Sequence, residues 1–480
     1  MTSNDTICAP ASSVSGAVAI VRISGPEAFG VCDKVVNLRR GTVSAAPGFS
    51  VRYGEVPGLD EVLVSVFRAP HSYTGEDSVE LSCHASPFIV SSLLERLCDA
   101  GARMAGPGEF TRRAYLGGKM DLAQAEAVAD LIAADGAAAH RVALNQLKGG
   151  YSRDFVQLRS ALLELCALVE LELDFSEEEV EFADRERLAG LLDDACRRVG
   201  ELCESYRLGN AIRRGVPVAI IGAPNCGKST LLNRLLGDDR AIVSDIPGTT
   251  RDTVEETMTL DGVLYRFIDT AGLRETSDTV ERLGIERTRE KIRQAEIVIA
   301  LTEFPAEGGK AGGSDVGGKA WCLEEFEHLR SLCEEHTHFI PVVNKADRCS
   351  GCSRASAASP DGDGGSSWAS AADSAGREAI RISALTGEGL GALLDAIRAA
   401  GFGTAADGRT LVTSQRHLAA LRDALAALTA ARSSLASGLP GDLLAEDLRS
   451  AVASIGSILG DAITPDEVLG EVFGRFCIGK

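Results

Sequence analysis

Residues 216–235 read VPVAIIGAPNCGKSTLLNRL. An apolar, β-prone run from Val216 to Ile221 leads into the loop GAPNCGKS at 222–229, and a leucine-rich helical stretch follows from Leu231 to Leu235. Strand, glycine loop and helix stand in the order that G-x-x-x-x-G-K-[ST] requires. The glycines let backbone N–H groups curl around phosphate oxygens, and the start of the helix adds its positive end. Lys228 is placed to reach the β- and γ-phosphates, and Ser229 to ligate Mg²⁺. The stretch predicts an α/β P-loop domain, with Asn225, Cys226, Gly227, Lys228, Ser229 and Thr230 along the phosphates.

Three further motifs follow in order, each after a β-like run. Asp269-Thr270-Ala271-Gly272 comes after Tyr265 to Ile268, where Asp269 suits a water-mediated Mg²⁺ contact and the Gly272 amide suits a γ-phosphate. Asn344-Lys345-Ala346-Asp347 comes after Phe339 to Val343. A carboxylate there accepts from both the ring N–H and the exocyclic amine of guanine, a donor pair that adenine lacks. Ser383-Ala384-Leu385 is placed to offer a backbone amide to the guanine carbonyl. The four motifs together predict GTP rather than ATP. Many small GTPases carry a water-orienting Gln directly after the glycine of the second motif, but Leu273 stands there. An apolar side chain does not orient water, so Glu275, Asp278 and Glu281 are the candidates. No arginine finger is evident from spacing.

Outside roughly 215–400 the pattern changes. Residues 1–118 alternate short β-runs, such as Val18 to Ile23 and Val62 to Phe67, with one helical stretch near Phe88 to Ala100, which predicts an α+β domain. Leu122, Ala125, Val128, Ala129 and Ile132 keep a helical stripe, and Leu188, Leu191, Leu192, Ala195, Val199 and Leu202 keep another. Residues 401–480 are helical again, including Gln415 to Ala436 and a last helix opened by Thr464-Pro465-Asp466-Glu467. The predicted architecture is multidomain: an α+β domain over 1–118, a discontinuous all-α helical domain over 119–212 and 401–480, and an α/β P-loop G domain over 213–400 inserted between its two segments. Within that insertion, 305–320 and 349–376 are Gly/Ser/Ala/Asp-rich and aperiodic, and read as surface insertions without chemistry.

The chain has 480 residues and a formal net charge of −20, without the basic excess of a self-sufficient nucleic-acid binder. Its 13 Cys are scattered without extracellular spacing, and no leader pattern or membrane-length apolar run is visible, so a reducing cytoplasm is expected. Cys349 and Cys352 form one C-x-x-C, with no second pair to complete a metal site.

The motif order and wording resemble the MnmE (TrmE) family of tRNA-modification GTPases over nearly the whole chain. The resemblance rests on DIPGTTRD at 245–252, DTAGLRETSDTVE at 269–281, KMDLAQAEA at 119–127 and the terminal FCIGK at 476–480, of which the last two are the more specific. It implies that Ser244, Asp245, Ile246, Pro247, Gly248, Thr249 and Thr250 join the nucleotide site. Asn225, Ser244, Ile246 and Thr249 would then hold K⁺ in place of an arginine finger, Thr250 would join Ser229 on Mg²⁺, and Glu281 would orient the attacking water. It also implies that residues 1–118 bind 5-formyltetrahydrofolate or a related tetrahydrofolate and form a homodimer. In that site Glu80 would pair with the pterin, Arg22 and Lys119 would hold the acidic tail, and Lys480 would join from the helical domain. Cys477 follows a helix, whose dipole raises a thiol's pKa, so a reactive role there would need a nearby cation. The resemblance further implies GTP-driven modification of the wobble uridine of tRNA with a flavoprotein partner, MnmG, in a heterotetramer or larger complex. A ribosome-assembly switch without modification chemistry is the alternative, though no KH-type GXXG module or second P-loop follows residue 400. A folate-binding scaffold with an incidental GTPase is a third reading.

Overall fold

The computed structural model describes residues 5–174, 185–237, 256–268, 290–303, 326–334, 336–348, 379–400, 410–437, 441–460, 466–474, 476 and 479. They fall into two compact units: Met1–Ala133, Ala143–Glu201 and Arg416–Lys480 form the first, and Ala134–Val142 with Leu202–Gln415 form the second.

The first unit opens with β1 (Ile7–Pro10), β2 (Val18–Ser24), α1 (Ala28–Val35), β3 (Asn37–Leu38), β4 (Ser50–Val56), β5 (Asp60–Phe67), β6 (Ser78–His84), α2 (Pro87–Asp99), β7 (Arg103–Met104) and α3 (Glu109–Leu116). The strands make one sheet in the order β3-β4-β5-β6-β2-β1-β7. Alternation separates its faces. Ala19, Val21 and Ile23 of β2 and Val79, Leu81 and Cys83 of β6 are buried in a core shared with α1 and α2. Arg22 and Glu80 fall on the opposite face, directly across from one another in the antiparallel register. Slipping β2 by one residue would expose Val21 and Ile23, each at about 1.5–3 kcal/mol.

A helical part follows: α4 (Leu122–Ile132), α5 (Ala137–Leu147), α6 (Gly150–Asp174) and α7 (Arg185–Arg214). Helix α4 starts on a capping box, in which Asp121 accepts from the Gln124 N–H (2.8 Å) and Gln124 accepts from the Asp121 N–H (3.0 Å).

The second unit is built on β8 (Val216–Ile221), α8 (Lys228–Leu236), β9 (Glu256–Leu260), β10 (Val263–Phe267), β11 (Ile297–Glu303), β12 (His338–Asn344), β13 (Ile380–Arg381) and α9 (Leu390–Ala399). The sheet order is β13-β12-β11-β8-β10-β9, parallel except for the β9–β10 pair. Strands β8, β11 and β12 are continuous apolar runs buried along most of their length, as a sheet covered on both faces demands. This unit extends beyond the 213–400 read from the sequence. It takes in residues 134–142, where Ala138 donates its N–H to the Gly262 carbonyl at 3.0 Å and is buried in the unit's core.

The chain then returns to the first unit as α10 (Gln415–Ala436), α11 (Gly441–Leu459) and α12 (Asp466–Gly474). Leu122 and Ala125 of α4 pack on Leu469 and Phe473 of α12 and on Phe476. Ile132, the last member of the predicted stripe, is exposed, because it lies on the final turn beyond that packing. Polar groups that are buried (Tyr151, His417) or half-buried (Glu126, Arg416) tie α4, α6 and α10 together. Glu126 accepts from Arg416 Nε (2.7 Å), its other oxygen meets His417 Nε2 (2.9 Å), and Tyr151 OH lies 2.9 Å from His417 Nδ1. The chain is therefore multidomain, with an α+β domain, a helical domain in two sequence segments and an inserted α/β P-loop domain.

Candidate nucleotide-binding site

Three loops leave the C-terminal ends of parallel strands, where open α/β sheets bind ligands. The first follows β8. Asn225 adopts φ 62 and Gly227 φ 100, so the loop turns through two left-handed residues into α8. Asparagine tolerates that region better than most side chains. Gly227 caps α8 without a side-chain hydrogen bond, which leaves the first amides of the helix to a phosphate. Lys228 Nζ donates to the carbonyls of Gly222 (2.9 Å) and Ala223 (2.8 Å), which hold its charge at the loop. Cys226 is buried beneath the loop, Ser229 lies on the first turn of α8, and Thr230 is exposed on that helix.

The second loop follows β12. Asn344 is buried; its Nδ2 donates to the Cys226 carbonyl (2.8 Å) and its Oδ1 accepts from the Ala384 N–H (2.9 Å). One amide thus spans from the phosphate loop to the loop after β13. Lys345 takes φ 65 and pairs with the Glu303 carboxylate. A left-handed lysine costs on the order of 1 kcal/mol and persists only where its surroundings hold it. Ala346 donates its N–H to the Ile382 carbonyl (3.1 Å), and this fixes the turn that presents Asp347. Asp347 is exposed, and Ser383 Oγ donates to its Oδ1 at 2.6 Å. That hydrogen bond holds the carboxyl below the usual aspartate range, so it stands ionised as a base acceptor. Ala384 is buried, and Leu385 is 72% exposed at the rim of the same loop. The structure therefore brings 225–230, 344–347 and 383–385 to one edge of the sheet. Ser244 to Thr250, Asp269 to Gly272, Leu273, Glu275, Asp278 and Glu281 lie outside the described residues, as do Cys349, Cys352, both insertions and Thr464.

In the N-terminal domain Arg22 Nε donates to Glu80 Oε1 at 2.9 Å. The Arg22 guanidinium also sits 5.2 Å from the centre of the Tyr73 ring and 5.6 Å from that of Phe110. The β2–β6 register joins Glu80 and Arg22, which the resemblance assigns to the pterin and to the acidic tail, as one cross-strand pair. Lys119 Nζ donates to the Pro70 carbonyl at 2.9 Å. Cys477 and Lys480 lie outside the described residues, between and beyond the described Phe476 and Gly479. Sequence reading missed the Glu126–Arg416–His417 cluster; its signals were Glu126 set between two alanines of α4 and an Arg-His pair at the start of α10. Among the described residues no group of His, Cys, Asp and Glu is arranged to hold a metal, and no helix is long and apolar enough to cross a membrane.

The family profile described as the MnmE helical domain matches residues 122–477, and that of the GTP-binding protein TrmE N-terminus matches 6–119. The chain belongs to the MnmE family. A tRNA modification GTPase MnmE from Porphyromonas gingivalis is 45% identical over 99% of this chain and 98% of its own length. The protein of the same description from Bacteroides thetaiotaomicron is 44% identical over 99% of each chain, and that from Salinibacter ruber 44% over 100% of each. MnmE relatives thus align with this chain from end to end, including the inserted P-loop domain.

Proposed function

We propose that the chain hydrolyses GTP at the 222–229 loop and couples the nucleotide cycle to modification of tRNA. The nucleotide reading is carried by the Asn344 bridge between the phosphate loop and the 383–385 loop, which sets Asp347 and the Ala384 backbone beside one another at the base end of the site. A carboxylate fixed by Ser383 accepts two guanine N–H groups and offers adenine nothing. Lys228 meets the β- and γ-phosphates, and Glu281 orients the attacking water. Ser229 with Thr250 fits Mg²⁺, since a hydroxyl on the first turn of α8 lies beside the bound phosphates. Asn225, in the loop's left-handed turn, fits a carbonyl-rich K⁺ site with Ser244, Ile246 and Thr249. The two cations supply positive charge against that building on the phosphates during transfer.

The tRNA part rests on family membership and on full-length relatives described as tRNA modification GTPases. The reaction is the addition of an aminomethyl or carboxymethylaminomethyl group at carbon five of the wobble uridine of certain tRNAs. It takes place in the cytoplasm with the flavoprotein MnmG, and the chain acts as a homodimer. A tetrahydrofolate, as the 5-formyl form or a related one, fits beside Arg22 and Glu80. Both contacts from Arg22 fall on Glu80 Oε1, so Oε2 remains an acceptor for a ring N–H, and Tyr73 and Phe110 flank the pair. Lys119 and Lys480 supply charge for the folate's carboxylates, and Cys477 serves the tRNA chemistry rather than hydrolysis. The deciding measurement is the wobble nucleosides of bulk tRNA, by mass spectrometry, from cells with and without the gene. Loss of the carbon-five modifications supports the reading. An unchanged profile leaves a GTPase switch of the ribosome-assembly kind.

A further inference from the structure

Lys345 stands two residues before Asp347 and carries a charge of the opposite sign. Arg348 donates its N–H to the Lys345 carbonyl at 3.0 Å, which folds 345–348 into a single turn. The Lys345 ammonium nevertheless pairs with the Glu303 carboxylate, and its backbone is left-handed at φ 65. Glu303 is the last residue of β11, and the parallel register sets it beside Asn344 of β12. That end of β11 is fixed in turn to the phosphate loop, since Gly222, at φ +150, runs so close that a Cβ on it would overlap the Leu301 carbonyl oxygen. Glu303 is therefore an anion held at a set place beside the loops that meet the nucleotide. The Lys345 side chain is 19% exposed and that of Glu303 41%, so water screens the pair only in part.

A flexible ammonium that close to a carboxylate competes for it. Asp347 is exposed and accepts from Ser383 Oγ. After that hydrogen bond, the charges of Arg348 and Lys345 help to hold its carboxyl below the usual range, so the Lys345 charge is felt there. An ammonium seated on Asp347 would occupy the acceptor positions that the two N–H groups of guanine need. We propose that Glu303 is a positioning residue for guanine recognition: it holds the Lys345 ammonium away from Asp347 and so keeps that carboxylate open to the base. This role rests on Asp347 being the base acceptor; the Glu303–Lys345 pair itself does not.

The test titrates the full-length parent, Glu303→Gln, Lys345→Met and the double variant with GDP and with inosine diphosphate. Hypoxanthine keeps the ring N–H of guanine and lacks its exocyclic amine. The ratio of the two affinities therefore reads how far the Asp347 carboxylate is open to the second N–H. Glu303→Gln is expected to lower the preference for GDP about tenfold, the worth of one hydrogen bond to a charged acceptor. Lys345→Met keeps an unbranched stem without the ammonium, and in that background Glu303→Gln is expected to leave the ratio unchanged. Both nucleotides bind the same folded fraction, so partial unfolding cancels from the ratio, and Arg348 is common to all four proteins. A parent ratio in Glu303→Gln would overturn the role, even with weaker binding, because a purely structural support of the loop weakens both nucleotides alike. An undiminished drop in the Lys345→Met background would also overturn it, because the effect would not pass through the ammonium. Asp347→Asn in the same titration separates the two failures. A parent ratio there means that base recognition lies elsewhere; a changed ratio there with a parent ratio in Glu303→Gln sinks the role of Glu303 alone.

Discussion

Asn344 donates from its side-chain amide to the carbonyl oxygen of Cys226 across 2.8 Å, although 118 residues separate the two in sequence. Its other end accepts from the Ala384 N–H, so a single buried side chain joins the phosphate loop to the loop that faces the base. Asn344→Ala removes both partners at once. Each buried backbone group left unsatisfied costs about 1–3 kcal/mol. Affinity for GDP and GTP is expected to fall at least about tenfold, as read by titration with a fluorescent guanine nucleotide. An unchanged Kd would mean that the bridge is incidental to binding.

Asp347 accepts from Ser383 and is otherwise exposed toward solvent. Asp347→Asn replaces an acceptor pair with one acceptor and one donor. That set matches a base carrying a carbonyl where guanine carries its amine. Competition between GTP and xanthosine triphosphate is expected to shift toward the latter by about tenfold or more. Retained guanine preference would move base recognition to other residues. Ser383→Ala lets the Asp347 carboxyl rise toward the usual range, and a few-fold loss of GTP affinity near neutral pH is expected.

The proposed K⁺ site places Asn225, at φ 62 in the phosphate loop, on the cation. GTP turnover at matched ionic strength is expected to be much faster in K⁺ than in Na⁺, and Asn225→Ala is expected to abolish the difference. Equal rates in the two salts would remove the cation from the mechanism.

Glu126 gives a stability prediction with a definite sign. Burial pushes its carboxyl up, but His417 and Arg416 outweigh burial and hold it at about 2. A folded pKa below the unfolded one means the pair stabilises the fold above the usual glutamate range and loses that contribution as pH falls toward 2. Glu126→Gln leaves the mostly buried Arg416 guanidinium without its counter-charge, at a cost of about 3–5 kcal/mol near neutrality. Thermal melting from pH 6 to pH 3 is therefore expected to show the parent and the variant converging as the solution becomes acidic. A constant gap would assign the loss to packing rather than charge.

The Arg22–Glu80 pair predicts a split between the two chemistries. Glu80→Gln is expected to weaken tetrahydrofolate binding about tenfold or more in calorimetry while GTP turnover stays at the parent rate. Parent-like folate affinity would place the folate elsewhere in the chain.

Much of the molecule is legible without coordinates, because the decisive signals are local. Residues 216–235 carry strand, loop and helix in one continuous run, and backbone chemistry within eight residues makes a phosphate cradle whatever surrounds it. The alternation of β2, the apolar strands of the P-loop domain and the helix from Gln415 to Ala436 are likewise periodicities of neighbouring residues. The order of the nucleotide motifs identifies guanine because each follows its own strand. What folding alone decides is every relationship made by register or by a close approach between distant segments. Arg22 and Glu80 both read as isolated charges until β2 pairs with β6 and sets them opposite one another. Asn344 reads as part of a base motif, yet it also holds the phosphate loop. Glu126 and His417 are ordinary helix residues until three helices close around them. Gly479 reads only as one letter of the FCIGK motif, and its need for a bare Cα comes from its φ of 103 and from the Pro10 carbonyl that the fold places against it. A local pattern sets which conformation a segment prefers; which side chains then share a space depends on how segments tens to hundreds of residues apart pay their desolvation together, and that is settled only in three dimensions.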